Sequence, residues 1–462
     1  MFKRYIPNDN LEIKKEMMSE IGINDIEELF SDIPEELRLK APLNIPGPLS
    51  ENEVIYETER ILSKNMSFKD IICFLGAGVW PHFVPSVVDV VASREEFLTS
   101  YTPYQPEISQ GMLQALFEYQ SMMCELLEMD VTNCSMYDWA TALGEAARMV
   151  VRVTQRKTFL VPQFIGPERL EVLKNYAEPS GIKVLKFKQR MNDGQVDIED
   201  LKEKVSSETA GVYIENPSYL GFLIEKPEEI AEIAHDSGSL FVVGVDPTSL
   251  GIIKPPGEYG ADIVVGEGQP LGNYMNGGGS LLGIFACKDD DQLIRQMPGR
   301  IVGMTTTVSG ENRAFCLALQ TREQHIRRHK ATSNICTNEA LCALRAAVYM
   351  SLLGPKGFRK LGELILSKTV YAINKLSKID GLRVPLFKAC HFKEFTVNFD
   401  GFSISVEDIN RRLLKKGIIG GKSLKKDFPE LGETSLYCVT EMHKKQDIDF
   451  LYNCLLDLVG SR

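Results

Sequence analysis

The sequence predicts an α/β protein with a large domain on a mostly parallel β-sheet and a smaller C-terminal α+β domain. Three observations support this prediction. The chain has 462 residues, which is too long for one small core. From about residue 138 to residue 286, short apolar stretches alternate with amphipathic helical stretches. After Asn338 this alternation ends, and two long helical stretches lead into a mixed pattern.

We therefore expect three segments, namely an N-terminal helical arm over residues 1–60, a large domain over 61–338 and a small domain over 339–462. Apolar residues between 10 and 40 recur at helical spacing, which predicts two short helices. Asp25 and Ser31-Asp32 offer helix-start residues there, and Pro34 fits a first helical turn. The proline-rich stretch 41–50 cannot form regular structure.

In the large domain, short apolar runs predict strands, and helical stretches between several of them predict the crossovers that parallel strands require. The predicted strands are Thr158–Val161, Lys183–Lys188, Ala210–Glu215, Leu240–Val245, Ile263–Val265 and Ser280–Phe285. The predicted helices among them are Glu168–Tyr176, Ile198–Val205 and Pro227–His235. In the small domain we expect helices at 339–352, 355–377, 406–416 and 446–459, and strands near 382–386 and 394–399.

Composition and charge exclude several classes of protein. The net charge of −11 argues against a nucleic-acid surface, and the basic run Arg327–Lys330 fits an ordinary solvated face. The N-terminal sequence has no apolar signal core, and no apolar run approaches the roughly 20 residues that span a bilayer. The ten cysteines form no CxxC pair, as in a protein with reduced thiols and no zinc. We expect a cytoplasmic protein without a membrane or nucleic-acid partner.

Polar residues follow predicted strands where ligands of open α/β sheets bind, outside the carboxyl ends of the strands. Glu215-Asn216 ends one strand and Asp246 ends the next, while Ser135–Ala142 opens a helix whose N-terminal N–H groups could bind an anion. Simpler interpretations also exist. Asp138 is a typical N-cap, and Asp246 is a typical turn residue before proline.

A further segment indicates a cofactor fold. Ala261–Gly272 followed by the glycines of 276–279 resembles the place where pyridoxal-phosphate (PLP) enzymes of fold type I carry their Schiff-base lysine. Here Pro270 stands near that position, and no lysine occurs between Lys254 and Lys288. Proline has no side-chain amine, so it cannot form an aldimine. The sequence thus predicts a PLP-dependent transferase fold type I-like large domain without its own Schiff-base lysine. Glu267 lies in the same segment, and we expect its side chain to fill the pocket that the cofactor would otherwise occupy.

Long strings of low degeneracy identify the family. Tyr101–Gly111, which contains TPYQPEISQG, resembles a signature of the glycine dehydrogenases (decarboxylating), the P-proteins of the glycine cleavage system. Phe74–Gly78 with the nearby His82, Arg322–Arg328, and Lys330–Thr337 resemble the same family. The similarity runs from the arm to the small domain.

The resemblance implies PLP-dependent decarboxylation of glycine and transfer of the aminomethyl group to the lipoyl arm of H-protein. P-proteins occur as one long chain of two homologous halves or as two subunits. A chain of this length without the lysine is similar to the N-terminal (alpha) subunit. The resemblance thus implies a separate lysine-bearing P-protein subunit 2, which binds PLP covalently, and it implies no catalytic residue in this chain alone.

The resemblance also suggests which residues serve the shared site. In the string Tyr101–Gly111, whose backbone is stiffened by prolines, the candidate glycine-binding residues are Tyr101, Thr102, Tyr104 and Gln105. An equal alternative is that this string is only a rigid structural loop. The turn before the small domain corresponds to one that, in cysteine desulfurases, reaches the PLP phosphate of the neighbouring subunit; its candidates here are Thr332, Ser333 and Asn334. The alternative is that one of these residues only caps the following helix.

Other functions stay open at this stage. An independent PLP enzyme, such as an aminotransferase or desulfurase, would need a lysine at an unusual place. A non-catalytic scaffold or regulatory paralogue would keep the fold for assembly alone. His325 and His329 stand four apart, but no third ligand is evident, so we expect no metal site.

Overall fold

The computed structural model describes residues 10–41, 43–67, 70–100, 103–276, 280–333, 335 and 337–460. The chain divides into two compact units, Met1–Met66 and Ser67–Arg462. The helical arm over residues 1–60 stays a prediction, and the first unit ends six residues after it. The boundary predicted at residue 338 falls inside the second unit and stays a prediction.

The first unit contains helices α1 (Leu11–Glu20) and α2 (Glu51–Leu62). The second helix predicted before residue 40 is wrong, because that stretch forms only two 3₁₀ turns, Ile26–Phe30 and Glu35–Leu37. Asp25 does cap the first of these turns, together with the side chain of Glu28. Neither turn has a buried residue, and a short helix without tertiary packing is marginal in water.

The second unit holds the remaining helices and all strands found in the described ranges. The helices are α3 (Ser86–Ala92), α4 (Glu95–Leu98), α5 (Gln110–Leu127), α6 (Trp139–Thr154), α7 (Pro167–Ala177), α8 (Ile198–Lys204), α9 (Pro227–Asp236), α10 (Asp291–Gln296), α11 (Gln324–Arg327), α12 (Ala340–Leu376), α13 (Val406–Lys415) and α14 (Lys445–Gly460). The strands are β1 (Ile72–Cys73), β2 (Val131–Thr132), β3 (Thr158–Pro162), β4 (Lys183–Phe187), β5 (Thr209–Glu215), β6 (Leu240–Val245), β7 (Ile263–Glu267), β8 (Gly283–Cys287), β9 (Ile301–Thr306), β10 (Arg313–Ala318), β11 (Glu394–Asn398), β12 (Ile418–Ile419), β13 (Lys422–Ser423) and β14 (Thr434–Cys438).

The central sheet has seven strands in the order β2-β8-β7-β6-β5-β3-β4. Strands β4, β3, β5, β6 and β7 are parallel to one another, and β8 pairs antiparallel with both β7 and the edge strand β2. Every residue of β5 and β7 is buried, as expected for strands covered on both faces. The predicted mostly parallel sheet is confirmed.

A smaller antiparallel sheet, β11-β14-β13, forms toward the C-terminus. Its apolar face packs with helices α12, α13 and α14 around Phe395, Val397, Ile409 and Leu451. The strand predicted near 382–386 is wrong, since only one bridge, Arg383 to Asn398, forms there. Pro385 lies in that stretch, and it has no N–H to give to a ladder.

Two features connect the predicted elements differently than expected. The two helical stretches predicted at 339–352 and 355–377 are the arms of α12, which bends at Gly354 with φ 57° and ψ −179°. The antiparallel hairpin β9–β10 was not predicted.

Among the helices in the described ranges, none is both long enough and apolar enough to cross a bilayer.

Candidate functional site

Three acidic residues meet at the carboxyl edge of the central sheet. Glu215 ends β5, Asp246 follows β6, and Glu267 ends β7. They are 2%, 5% and 1% exposed. Because β5, β6 and β7 are adjacent and parallel, their last residues lie side by side, as the sequence predicted.

Asp246 is already occupied by partners from its own chain. The Nζ atom of Lys393 lies 2.6 Å from its Oδ2 atom, and both side chains are buried. The backbone N–H and the hydroxyl of Thr248 donate to its Oδ1 atom at 3.1 and 2.8 Å. The Lys393 ammonium also stands 4.3 Å from the ring centroid of Trp80. A PLP pyridine nitrogen would need this same carboxylate.

Glu215 takes part in a second buried ion pair. Nη1 of Arg169 lies 2.9 Å from its Oε2 atom. The Tyr213 hydroxyl donates to Oε1 at 3.0 Å and accepts from Nε1 of Trp139 at 3.0 Å. The guanidinium carbon of Arg169 stands 3.5 Å from the Trp139 ring centroid. Arg169 therefore covers one face of the aromatic ring that lies beside the helix start.

The N-terminus of α6 carries carboxylates of its own. Asp138 is the N-cap, and its Oδ1 atom accepts from the backbone N–H and the hydroxyl of Thr141 at 2.7 and 2.8 Å. Oε2 of Glu267 accepts from the Trp139 N–H at 3.3 Å. The simple interpretation of Asp138 as an N-cap is confirmed. Two carboxylates at a helix start oppose the binding of a phosphate there.

Glu267 fills space in the middle of the site. Its Oε1 atom accepts from the backbone N–H groups of Gln269 and Leu282 at 3.0 and 2.9 Å. Burial raises the pKa of the Glu267 carboxyl to about 7, although these hydrogen bonds act in the opposite direction. A carboxyl tied to three backbone N–H groups holds loops together, which supports the structural role expected for it.

Pro270 is the residue near which the Schiff-base lysine of a fold type I enzyme was expected. It belongs to a buried turn directly after β7. Gln269 fixes this turn, since its side chain accepts from the Trp80 N–H at 3.1 Å and donates to the Asn273 carbonyl at 2.9 Å. The turn therefore presents no amine to the site.

The residues at this edge do not fit a bound PLP. The cavity among them is only about 10 Å³, and its lining includes Trp80, Trp139, Arg169, Asp246, Lys393 and Glu394. A cavity of about this volume holds at most a single water molecule. Space, charge at the α6 N-terminus and the engaged Asp246 carboxylate all disagree with cofactor binding in this chain.

The candidate glycine-binding string is only partly described, because Tyr101 and Thr102 lie outside the described residues. Tyr104 is half-buried, and its hydroxyl accepts from Nη2 of Arg300 at 2.6 Å. Its ring centroid is 5.0 Å from that of His325. Gln105 is exposed and precedes a 3₁₀ turn. The structure thus brings Tyr104, but not Gln105, into a polar cluster.

Arg300 is the centre of that cluster. It is 3% exposed, its Nη1 atom donates to Oδ1 of Asn338 at 3.1 Å, and its Nε atom lies 3.7 Å from Oε2 of Glu323. Burial raises the pKa of the Glu323 carboxyl, which Arg300 opposes. Arg300 therefore links Tyr104 of the first family string to Glu323 of the string Arg322–Arg328.

The candidate phosphate-binding turn lies between α11 and α12. The N–H of Thr332 donates to the Arg322 carbonyl at 3.0 Å, and the hydroxyl of Ser333 accepts from the Ile335 N–H at 3.1 Å. Asn334 lies outside the described residues. The N-cap of α12 is Glu339, so the alternative that Thr332 or Ser333 caps this helix is wrong. Their contact with a phosphate stays a prediction.

Comparisons with known proteins assign the chain to a family. It matches the sequence profile of the glycine cleavage system P-protein over residues 3–455. The chain belongs to the P-protein family. It is 51% identical to a protein of Staphylothermus marinus named probable glycine dehydrogenase (decarboxylating) subunit 1, over 99% of this chain and 98% of that protein.

Solved structures agree with this P-protein assignment. A crystal structure of glycine decarboxylase (P-protein) of the glycine cleavage system, in inhibitor-bound form, is similar with a TM-score of 0.88 and 40% identity, over 98% of this chain and 99% of that one. A sphingosine-1-phosphate lyase of Burkholderia pseudomallei is similar with a TM-score of 0.65 and 15% identity, over 93% of this chain and 95% of that one, which shows the fold alone. The predicted fold type I class is confirmed.

Sequence reasoning missed two basic residues at the carboxyl edge of the central sheet, where they pair with the acidic residues at the strand ends. We call this group of side chains the strand-end site. Arg169 comes from α7, and Lys393 comes just before β11, far along the chain from Asp246. A local signal existed for Lys393, because Lys393-Glu394 is a charged pair inside the apolar run FKEFTVNF. Burial raises the pKa of the Glu394 carboxyl to about 7. Such a pair in a buried strand indicates an internal ion-pair network.

The histidine pair of this P-protein does not form a helical metal site. Helix α11 ends at Arg327, so His325 and His329 are not on one helical face. His325 Nδ1 instead lies 3.7 Å from Oε2 of Glu323. Throughout the described ranges, no group of three His, Cys, Asp or Glu side chains is arranged to hold a metal ion.

Proposed function

We propose that this chain is the subunit without a Schiff-base lysine in a two-subunit glycine decarboxylase that acts in the cytoplasm. Together with a lysine-bearing subunit 2, it decarboxylates glycine and passes the aminomethyl group to lipoylated H-protein. The observation that carries the proposal is a P-protein chain, matched over 98% of the length of a subunit 1 relative, that has Pro270 near the expected position of the Schiff-base lysine and a filled pocket beside it.

The cofactor, in this proposal, belongs to the partner subunit. Pro270 supplies no amine, and Lys393, the buried lysine of the strand-end site, is held by Asp246 at 2.6 Å. The same two facts disfavour an independent PLP enzyme, because an unusual lysine would first have to leave its ion pair. What PLP supplies when bound is an electron sink for the carbanion left by loss of CO₂.

This chain's own contribution is to complete the partner's site. Tyr104 and Gln105, together with Tyr101 and Thr102, are the residues proposed to contact glycine. Arg300 holds the Tyr104 hydroxyl at 2.6 Å and is itself anchored on Asn338 and Glu323. An anchored side chain loses little conformational entropy on binding, so it can orient a small substrate well.

The turn at Thr332, Ser333 and Asn334 is proposed to meet the PLP phosphate across the interface. Ser333 is 7% exposed in this chain and is already the acceptor of a local turn. Thr332 is half-buried, and among the described residues its one hydrogen bond is from its backbone N–H to the Arg322 carbonyl. Thr332 is therefore the stronger candidate for a hydroxyl donor to the phosphate.

Reconstitution tests this proposed function. The purified chain, the lysine-bearing subunit and lipoylated H-protein are mixed with PLP, and glycine–bicarbonate exchange is measured. We expect exchange only when both subunits are present, with co-elution of the two in gel filtration. Full exchange by the lysine-bearing subunit without this chain would support the scaffold alternative. Exchange by this chain alone would support an independent enzyme.

A further inference from the structure

A strip of exposed basic residues begins at the last residue of helix α11 and has no ion-pair partner among the residues that the structure describes. Arg327, Arg328, His329 and Lys330 are all exposed. Throughout the described residues, none of these side chains makes a hydrogen bond or an ion pair. The whole chain has a net charge of −11, so this basic strip is a local reversal of sign.

The basic strip is held in place at its root. Arg322 is 8% exposed, and its guanidinium donates to the carbonyls of Met297 and Gly299, the latter at 3.1 Å. Its own carbonyl accepts from the Thr332 N–H at 3.0 Å, which closes the segment into a loop. Arg328 has φ 54° and ψ −123°, a backbone conformation that favours glycine and that a non-glycine residue keeps only where its surroundings hold it. A backbone held this way presents its charges at a defined place.

The basic strip also adjoins the turn that the proposed function assigns to the partner's phosphate. Lys330 precedes Thr332 by two residues, so their Cα atoms are at most about 7 Å apart. Ile326, beside the basic strip, is 50% exposed. A surface with an exposed apolar residue next to unpaired cations has the composition of an interface rim.

We propose that the basic strip is the rim of the interface with the lysine-bearing subunit and docks on an acidic surface of that subunit. This inference rests on the proposed function, because the position of the basic strip follows from the position of Thr332. Charges at a rim mainly steer the encounter of two proteins. Their effect therefore concerns the association rate constant and its dependence on salt.

Association kinetics test the basic strip with a matched control. The variant R327E/K330E reverses two of its charges, and R412E/K415E makes the same change in charge on helix α13, where both residues are exposed and make no ion pair that the structure describes. Binding of each to the lysine-bearing subunit is followed by stopped flow at low and high salt.

We expect R327E/K330E to slow association at low salt by about tenfold or more, and the difference from wild type to shrink at high salt, since screening removes steering. The control should stay within about twofold of wild type. Equal rates for the two variants would overturn the inference, as would slower self-association of this chain in place of slower binding to the partner.

The outcomes separate this inference from the proposed function. If the wild-type chain does not bind the lysine-bearing subunit at all, the proposed function fails. If wild type binds and R327E/K330E binds equally fast, only the rim fails. If charge reversal disturbs folding, the neutral variant R327Q/K330Q replaces R327E/K330E in the test. It should also slow association, but by less than the tenfold expected for charge reversal.

Discussion

At the scale of single residues, the buried ion pair of Asp246 and Lys393 decides what the strand-end site can hold. The two side chains are 7% and 1% exposed, and their charged atoms are 2.6 Å apart. Bringing both charges out of water is costly, and their mutual attraction offsets that cost only while both members of the pair are present. A ligand that needed Asp246 would have to displace Lys393 from it.

Removing one member of this pair should destabilise the chain strongly. We expect Lys393→Met to lower the free energy of unfolding by about 3–5 kcal/mol, because the Asp246 carboxylate is left buried and unpaired. The added substitution Asp246→Asn should restore most of the loss, since an amide can still accept from Thr248. Urea unfolding of the purified variants measures both changes.

An exposed pair serves as the control for Lys393→Met. Lys254 and Glu228 are 3.0 Å apart, but both side chains are 47% exposed. Lys254→Met should therefore cost less than about 1 kcal/mol. If Lys393→Met costs no more than Lys254→Met, the buried pair does not stabilise the site.

Thr332 allows a test of the proposed contact with the partner's cofactor. In the assembled enzyme, Thr332→Val would remove a hydrogen bond to a charged phosphate, worth about 1.5–3 kcal/mol. PLP affinity of the other subunit should then fall roughly ten- to a hundredfold. The melting temperature of this chain alone should hardly change, because its described contact at Thr332 uses the backbone N–H.

The exposed Thr321, close by in the chain, is the matched site for the same substitution. Thr321→Val should leave PLP affinity unchanged. Unchanged PLP affinity in Thr332→Val with a lowered melting temperature would show that Thr332 has a structural role and does not serve the neighbouring site.

Residues of the site differ in how far the sequence predicts them. Asp246 and Pro270 were predicted because strand-end positions and the absence of a lysine can be read from neighbouring residues. Lys393 and Arg169 were missed, since they reach the site only through tertiary packing of distant segments. Ion pairing between distant segments leaves no periodic pattern in a sequence.

At the scale of elements, helix α12 owes its bend to one glycine. Gly354 has φ 57° and ψ −179°, a region of backbone space that is essentially restricted to glycine. A Cβ atom at this position would meet nothing within 4 Å, so the penalty of a side chain is conformational only. The bend lets the two arms of α12 pack against different neighbours.

Gly354→Ala should destabilise the chain by about 1–3 kcal/mol because of this backbone strain. Gly111 in α5 is a matched control, since a Cβ atom there also meets nothing within 4 Å and its φ is not positive. Gly111→Ala should be neutral or stabilise by up to about 1 kcal/mol. Thermal unfolding of both variants compares them, and equal effects would contradict the strain argument.

The predictability of each element depended on burial. Strands β3 to β7 were found to within about two residues. Strands β3, β5, β6 and β7 are buried and nearly continuous apolar runs between turn residues. Strand β4 lies at the edge of the sheet and is mostly exposed, and it was found from its apolar residues Val184, Leu185 and Phe187. The β9–β10 hairpin was missed, since β9 is buried only at its start and ends in the exposed residues Met304, Thr305 and Thr306. A half-exposed strand has a weaker pattern than a buried one.

At the scale of the whole molecule, the chain has a fold type I architecture, and protein side chains fill the carboxyl edge of its central sheet. Pro270, the carboxylates at the α6 N-terminus and the Lys393–Asp246 pair each oppose PLP in a different way. The family strings instead surround Arg300, through Tyr104 and Glu323. The fold and family could be predicted from the sequence, whereas the filled pocket required the structure.

We propose that the functional PLP is held by the partner subunit and not by this chain, and chemical labelling tests this directly. The assembled enzyme is loaded with PLP, reduced with borohydride and digested, and pyridoxyl-lysine peptides are mapped by mass spectrometry. We expect stoichiometric labelling at one lysine of the lysine-bearing subunit and only scattered, low-level labelling of exposed lysines in this chain. Stoichiometric pyridoxyl-lysine at Lys393, or at any other lysine of this chain, would contradict the account.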